Sequence, residues 1–230
     1  MKYVKIRKKN VRVSMKKAVI FDMDGLMIDS ERVTYNEYVK KLEQLGHYDF
    51  TEELYRNCLG KNKQGICQVF IDHYGEDFPM KEVWDDVHIW IDESLRQHVP
   101  KKKGLDELLQ YLKSHNYKTI VATSSGRERV DEILKNAQLT QYFDDSICGD
   151  EVTHGKPNPE IFLTACHKLG VQPEEAVVLE DSEAGIQAAY DGHIDVICVP
   201  DMKYPEEKYV QMITKIVKSL DDVIDYLEVQ

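Results

Sequence analysis

No run of the chain approaches the roughly 18 consecutive apolar residues that a membrane span requires. The opening MKYVKIRKKNVRVS is basic but has no apolar segment behind it, so it does not read as a signal peptide. Cysteine is sparse: Cys58, Cys67, Cys148, Cys166 and Cys198 make five, an odd number, scattered and without a CxxC pair. That usage argues against a disulfide scaffold and against a zinc site, and fits reduced thiols in the cytoplasm. The eight histidines show no metal-ligand spacing. There is no GxSxG to support a serine nucleophile at Ser124 or Ser125, no internal repeat and no low-complexity tract. Positive charge is also in deficit. Thirty Lys and Arg face 41 Asp and Glu, a net charge of −11. A chain this acidic is a poor partner for nucleic acid or an anionic membrane, although a local pocket can still be positive.

What remains is a globular composition. The chain has 230 residues, 42% of them hydrophobic and 31% charged, enough for one core domain with a modest insertion. A monomer is the default expectation. Residues 1–15 read as an N-terminal extension, with Met15 an alternative start and the basic tail solvated.

Lys17 to Phe21 (KAVIF) is a short apolar run that breaks into DMDG, the mark of a buried strand ending in a turn. From Glu31 to His98 the spacing is helical. Tyr35, Tyr38, Val39, Leu42 and Leu45 repeat at helical intervals, and Val83, Val87, Trp90, Ile91 and Leu95 fall on one face of a second helix. No strand signal occurs in this block, which reads as a helical insertion. The Lys101–Lys103 run that follows reads as a solvated hinge flank.

Thereafter strands and helices alternate. Helices are expected at Gly104–His115, Arg127–Ala137 and Ser182–Tyr190. Strands are expected at Lys118–Thr123, Ser146–Cys148, Ala176–Leu179 and Val196–Val199. One further helix is marked by Asn158 as N-cap, Pro159 at the first helical position and Gly170 at its end. This grammar predicts an α/β fold, a Rossmann-like doubly wound parallel sheet with an inserted all-helical unit.

Ligands of such sheets lie beyond the carboxyl ends of the strands. Those ends carry Asp22, Asp24 and Gly25; then Thr123, Ser124 and Ser125; then Lys156 in HGKPNP; then Glu180 and Asp181. Each group alone is a weak signal: an isolated DxDG is often an acidic turn, an isolated ED pair often a solvated cap. In order, at four successive strand ends, they form a set with a chemistry. A carboxylate attacks an anionic phosphate ester only if cations relieve the repulsion. Asp22 is the expected nucleophile. Asp22, Asp181 and the backbone carbonyl of Asp24 offer hard oxygen ligands for Mg²⁺, with Glu180 ligating through water or orienting the site. Lys156 adds a second positive charge, and Thr123 and Ser124 offer donors to phosphate oxygens. Asp24 is placed to protonate the leaving oxygen and then to take a proton from the attacking water.

These residues resemble the haloacid dehalogenase-like hydrolase superfamily: FDMDGLMIDSE, VATSS, HGKPNPEIF and LEDSEAGIQAA look like its four motifs. The wording is similar to its beta-phosphoglucomutase-like branch, which holds both mutases and phosphatases of small metabolites. The resemblance runs from Lys16 onward. It implies a core at residues 16–31 and 98–230, a helical cap at residues 32–97, and a Mg²⁺-dependent phosphomonoester hydrolase acting through phospho-Asp22. It also implies the roles already given to Asp24, Thr123, Lys156 and Asp181. Hexose-phosphate mutases of this branch carry a His near the cap entrance, where an ungapped count puts Thr34, and an Arg in a cap loop, where Lys63 stands. Lys cannot form the bidentate fork of Arg on a second phosphate. These departures favour a phosphatase of sugar phosphates or nucleotides over a mutase, with Lys63 a candidate substrate contact. A signalling receiver domain also uses an acidic pocket, a hydroxyl and a Lys. It is disfavoured because the nucleophile follows the first strand and an insertion comes next.

Overall fold

The computed structural model describes residues 15–229. The N-terminal extension expected at residues 1–15 lies, apart from Met15, outside them. The described residues open with β1 (Ala18–Phe21) and pass through four helices, α1 (Ser30–Gln44), α2 (Glu52–Arg56), α3 (Lys63–Tyr74) and α4 (Met80–Gln97). It then alternates: α5 (Leu105–Ser114), β2 (Lys118–Ala122), α6 (Arg127–Asn136), β3 (Asp145–Ile147), α7 (Glu160–Leu169), β4 (Ala176–Glu180), α8 (Glu183–Asp191) and β5 (Asp195–Cys198). Last come α9 (Glu207–Val210), β6 (Lys215–Ile216) and α10 (Asp222–Leu227).

All six strands are parallel, in the order β3-β2-β1-β4-β5-β6. This is the doubly wound order, and its switch point, where ligands bind, lies between β1 and β4. The strands read as near-continuous apolar runs because both faces are covered. Val19 and Phe21 of β1, with Val177 and Leu179 of β4, enter the cluster packed by α5, α6 and α10. Ala18 and Ile20, with Ala176 and Val178, enter the opposite cluster, packed by α7 and α8. This is the two-residue period of a strand. Each fully buried Val, Ile, Leu or Phe here contributes about 1.5–3 kcal/mol relative to exposure. The central strands are therefore anchored on both faces, and they carry the residues at their ends.

The four helices after β1 build a third cluster from Tyr38, Leu42, Phe50, Phe70, Val83, Val87, Ile91 and Leu95. Aromatic rings fill much of it: Tyr38 and Phe70 lie 5.0 Å apart, and Phe50 and Phe70 stack at 5.3 Å. Trp84 packs against this cluster. Trp90, expected on the same face as Val87 and Ile91, is half-buried and stands under the Lys40 ammonium at 4.3 Å. The two connectors between the helices and the sheet pair with each other. The Asp29 N–H donates to the Pro100 carbonyl at 2.8 Å, and the Lys102 N–H to the Met27 carbonyl at 2.9 Å.

Of the Lys101–Lys103 run, Lys101 and Lys103 are exposed, as expected of a solvated flank, whereas Lys102 is half-buried. Lys102 Nζ lies 2.5 Å from Asp201 and 3.5 Å from Asp29, and Lys101 pairs with Asp106 at 2.8 Å. Helix α7 starts one residue later than its sequence marks suggest: Pro159 is the cap residue, while Asn158 Oδ1 still accepts the Glu160 N–H at 3.0 Å. Gly170 closes it in the left-handed conformation, as expected.

Candidate active site

Asp22 is the first residue past β1, and its N–H still donates to the Leu179 carbonyl of β4 at 3.1 Å. Strand pairing thus fixes the backbone beneath its side chain, which is nearly buried. Lys156, from the loop before α7, places its ammonium 2.5 Å from Asp22 Oδ1 and 2.7 Å from Glu180 Oε1. Burial alone lowers the basicity of this ammonium. The two carboxylates more than reverse that and hold it charged, above its ordinary value.

Glu180, the last residue of β4, has no exposed surface. Its Oε2 accepts the N–H groups of Asp181 at 3.0 Å and Ser182 at 2.9 Å, and the Ser182 hydroxyl at 2.9 Å. With Oε1 on Lys156, both oxygens are engaged. Of the two roles expected for Glu180, its hydrogen bonds match the orienting one. Helix α8 comes so close that a Cβ on Gly185 would stand 1.7 Å from Glu180 Oε1, so only glycine fits.

Asp181 completes a cluster in which one oxygen each of Asp22, Glu180 and Asp181 lie within 4.8 Å of one another. Its Oδ1 is buried and has no hydrogen-bond partner. Burial, then the neighbouring Glu180 and Asp22, hold the Asp181 carboxyl well above the usual range. Burial likewise pushes Asp22 up to about 7 against the pull of Lys156, with Glu180 and Asp24 adding to the rise. One ammonium does not balance three crowded carboxylates. An orphaned carboxylate oxygen among hard oxygen donors fits a divalent cation such as Mg²⁺. Gly25, with φ +82°, makes room for this arrangement: a Cβ there would meet Asp181 Oδ2 at 2.5 Å.

Asp24 is half-buried and held from two sides. The Ser125 hydroxyl donates to Oδ2 at 2.7 Å and Arg129 Nη2 to Oδ1 at 3.0 Å. The other guanidinium nitrogen of Arg129 reaches Asp92 of α4 at 3.2 Å. Thr123 is buried just past β2, and its hydroxyl accepts the Ser125 N–H at 3.2 Å. Ser124 is exposed, and its carbonyl lies where a Cβ on Gly149 would be, at 2.2 Å.

The structure therefore gathers Asp22, Lys156, Glu180 and Asp181 directly, and joins Asp24 to Thr123 through Ser125. Lys63 stands apart at the start of α3, its ammonium 4.6 Å from the centre of the Trp84 ring. Sequence reasoning missed the part of Ser125 in holding Asp24, because either serine of VATSS could have taken it. It also missed Arg129 and Asp92, since an Arg on an exposed helix turn carries no signal of a distant partner. Beside Asp181 a cleft of about 380 Å³ opens between Leu59 and Gly60 on one side and the Met202–Pro205 segment on the other.

Fold and site together define an α/β enzyme with carboxylates clustered around a buried ammonium at the switch point of the sheet. The chain belongs to the haloacid dehalogenase-like hydrolases, whose family model matches residues 19–199. It is 33% identical over 180 residues to a phosphorylated carbohydrates phosphatase of Thermotoga maritima, covering 78% of this chain and 83% of that one. It is also 33% identical over 215 residues to a probable pseudouridine-5'-phosphatase of Drosophila melanogaster, covering 88% and 89%. The fold is shared with a HAD family hydrolase from Deinococcus radiodurans R1, solved with bound phosphate and sodium. The TM-score is 0.80 at 24% identity, over 93% of this chain and 96% of that one. Among the described residues no helix is long and apolar enough to cross a membrane.

Proposed function

We propose that this protein is a Mg²⁺-dependent phosphatase that removes phosphate from a small phosphorylated metabolite, a sugar phosphate or a nucleotide, through a phospho-Asp22 intermediate. The observation that carries this reading is the Lys156 ammonium, 2.5 Å from Asp22 and 2.7 Å from Glu180, beside the unpartnered Asp181 Oδ1. The two relatives, named as phosphatases of phosphorylated carbohydrates and of pseudouridine phosphate, support it.

Asp22 attacks phosphorus through a carboxylate oxygen while the P–O bond to the leaving group breaks. Asp24 gives its proton to that departing oxygen. In the second half Asp24 takes a proton from water as the water attacks phospho-Asp22, and Asp22 is released with inorganic phosphate. Positioned acid–base groups of this kind contribute about 10²–10⁴-fold. Lys156 screens the nucleophile from the phosphoryl oxygens, and Thr123 and Ser124 hold those oxygens. Asp22, Asp181 and the Asp24 carbonyl would hold Mg²⁺, which when bound offsets the negative charge of carboxylate and phosphate together. Helices α1–α4 act as the cap that covers the cleft, and Lys63, drawn onto the Trp84 ring, is not among the residues that line it. The free cysteines fit a reducing compartment, the cytoplasm.

The test is phosphate release from p-nitrophenyl phosphate with and without Mg²⁺. Turnover that needs the ion and falls at least 10³-fold in Asp22→Asn supports the reading. Turnover that survives the substitution overturns it. A parallel assay for interconversion of hexose 1- and 6-phosphates, expected negative, separates phosphatase from mutase.

A further inference from the structure

We propose that Asp92, on helix α4, is a positioning residue for the reaction: through Arg129 it fixes the direction of the Asp24 carboxyl, so that protonation of the leaving oxygen depends on where the helical unit stands. This rests on the phosphatase reading and adds to it a residue that touches none of the reacting atoms.

Three contacts in a row carry the link. The Ser125 hydroxyl donates to Asp24 Oδ2 at 2.7 Å, Arg129 Nη2 donates to Asp24 Oδ1 at 3.0 Å, and Arg129 Nη1 donates to Asp92 Oδ1 at 3.2 Å. Ser125 and Arg129 come from the sheet-bearing part of the chain, on the loop after β2 and the first turn of α6, whereas Asp92 comes from the helical unit. A guanidinium is a planar fork whose donors point in fixed directions. With one nitrogen on Asp92, it cannot turn without pulling on Asp24. Without that anchor, Ser125 is the one fixed donor left to the Asp24 carboxyl.

One turn further along both helices, Arg96 Nε donates to Glu132 Oε1 at 2.9 Å. A cleft of about 380 Å³, lined by Asp92, Arg96, Arg129 and Glu132 among others, opens between α4 and α6. The joint is thus wet and polar, and its ion pairs are partly exposed. Such pairs contribute only about 0–1 kcal/mol each. What separates the two pairs is their reach. Arg129 extends to Asp24, while Arg96 and Glu132 close the same joint without touching the acid–base carboxyl.

The chemistry gives the link a signature. Breaking the P–O bond of an alkyl ester leaves an alkoxide, which takes the Asp24 proton as it departs. A p-nitrophenolate is stable enough to leave without one. A misdirected Asp24 therefore penalises the alkyl ester much more than the nitrophenyl ester.

The experiment measures kcat/KM, which reports the first half-reaction, for glycerol 2-phosphate and for p-nitrophenyl phosphate. The ratio of the two is taken on one sample of each variant, so a fraction that fails to fold does not alter it. Asp92→Asn and Arg129→Lys are each expected to lower the ratio of alkyl to nitrophenyl ester about tenfold, and Asp92→Glu to recover part of the loss. Asp92→Asn added to Arg129→Lys should lower it no further, because both break one chain of contacts. Glu132→Gln, which weakens the neighbouring pair, should leave the ratio at its wild-type value. A ratio unchanged in Asp92→Asn and Arg129→Lys, or lowered equally by Glu132→Gln, overturns the proposal while the phosphatase reading stands. A wild-type protein that hydrolyses neither ester overturns both.

Discussion

Arg129 and Asp24 form an ion pair at 3.0 Å in which the guanidinium is shared: its other nitrogen lies 3.2 Å from Asp92 on helix α4. The acid–base carboxylate of the proposed mechanism is thereby tied to the helical unit that follows β1.

Arg129→Ala is expected to lower kcat by about 5- to 50-fold, since Asp24 loses one of its two fixed donors. The pair is partly exposed, so stability should change by no more than about 1 kcal/mol. Steady-state kinetics beside a urea melt separates the two effects. A protein that loses several kcal/mol would show that Arg129 is chiefly structural.

Lys156→Met should be much more disruptive. It leaves Asp22 and Glu180 facing each other with no cation between them, in a site where both are almost wholly buried. Breaking a buried pair in this way costs about 3–5 kcal/mol. Chemical denaturation should find that loss, and phosphate release should fall below detection. The same protein should regain stability when Glu180→Gln is added, because the remaining like charges are relieved.

Metal removal can be followed without an activity assay. If Mg²⁺ binds at Asp22 and Asp181, a hundredfold excess over Kd stabilises the fold by about 2.7 kcal/mol. The melting temperature should rise on adding MgCl₂ and fall back with EDTA. In Asp181→Asn the rise should vanish, while the metal-free melt should move upward, since one of three crowded carboxylates is gone. A Mg²⁺ shift that persists in this variant would place the ion elsewhere.

Gly185→Ala tests the close approach of α8 to β4. The added methyl would overlap Glu180 Oε1 at 1.7 Å. Overpacking typically costs about 1–3 kcal/mol, and here the atom displaced is the one that anchors Lys156. Thermal denaturation and p-nitrophenyl phosphate turnover should both decline. An unaltered enzyme would mean that Glu180 has slack in its position.

Much of this was legible in the residues. Val19 and Ile20 announce a strand covered on both faces, and the polar turn at Asp22 marks its end. Lys156 and Glu180 were recognisable because they, too, close strand–loop units of an alternating pattern. Other features depend on tertiary proximity, which no local pattern records. Arg129 reads as one more charged residue on a helix surface, and its partners lie 105 and 37 residues away in the chain. Lys102 reads as a solvated lysine until Asp201, 99 residues on, is folded against it. Trp90 has helical spacing with Ile91 and Val87 but falls at the margin of their stripe. Strand β6 is two residues long, too short for any period to show.

The pairing of the two connectors has a practical consequence for anyone who would exchange the helical unit between relatives. Residues 27–29 and 100–102 are stitched to each other by backbone hydrogen bonds, so a graft that cuts between them would unravel a two-stranded join. Splice points should fall outside it, before Met27 and after Lys102, so that the transplanted piece arrives with both of its paired connectors.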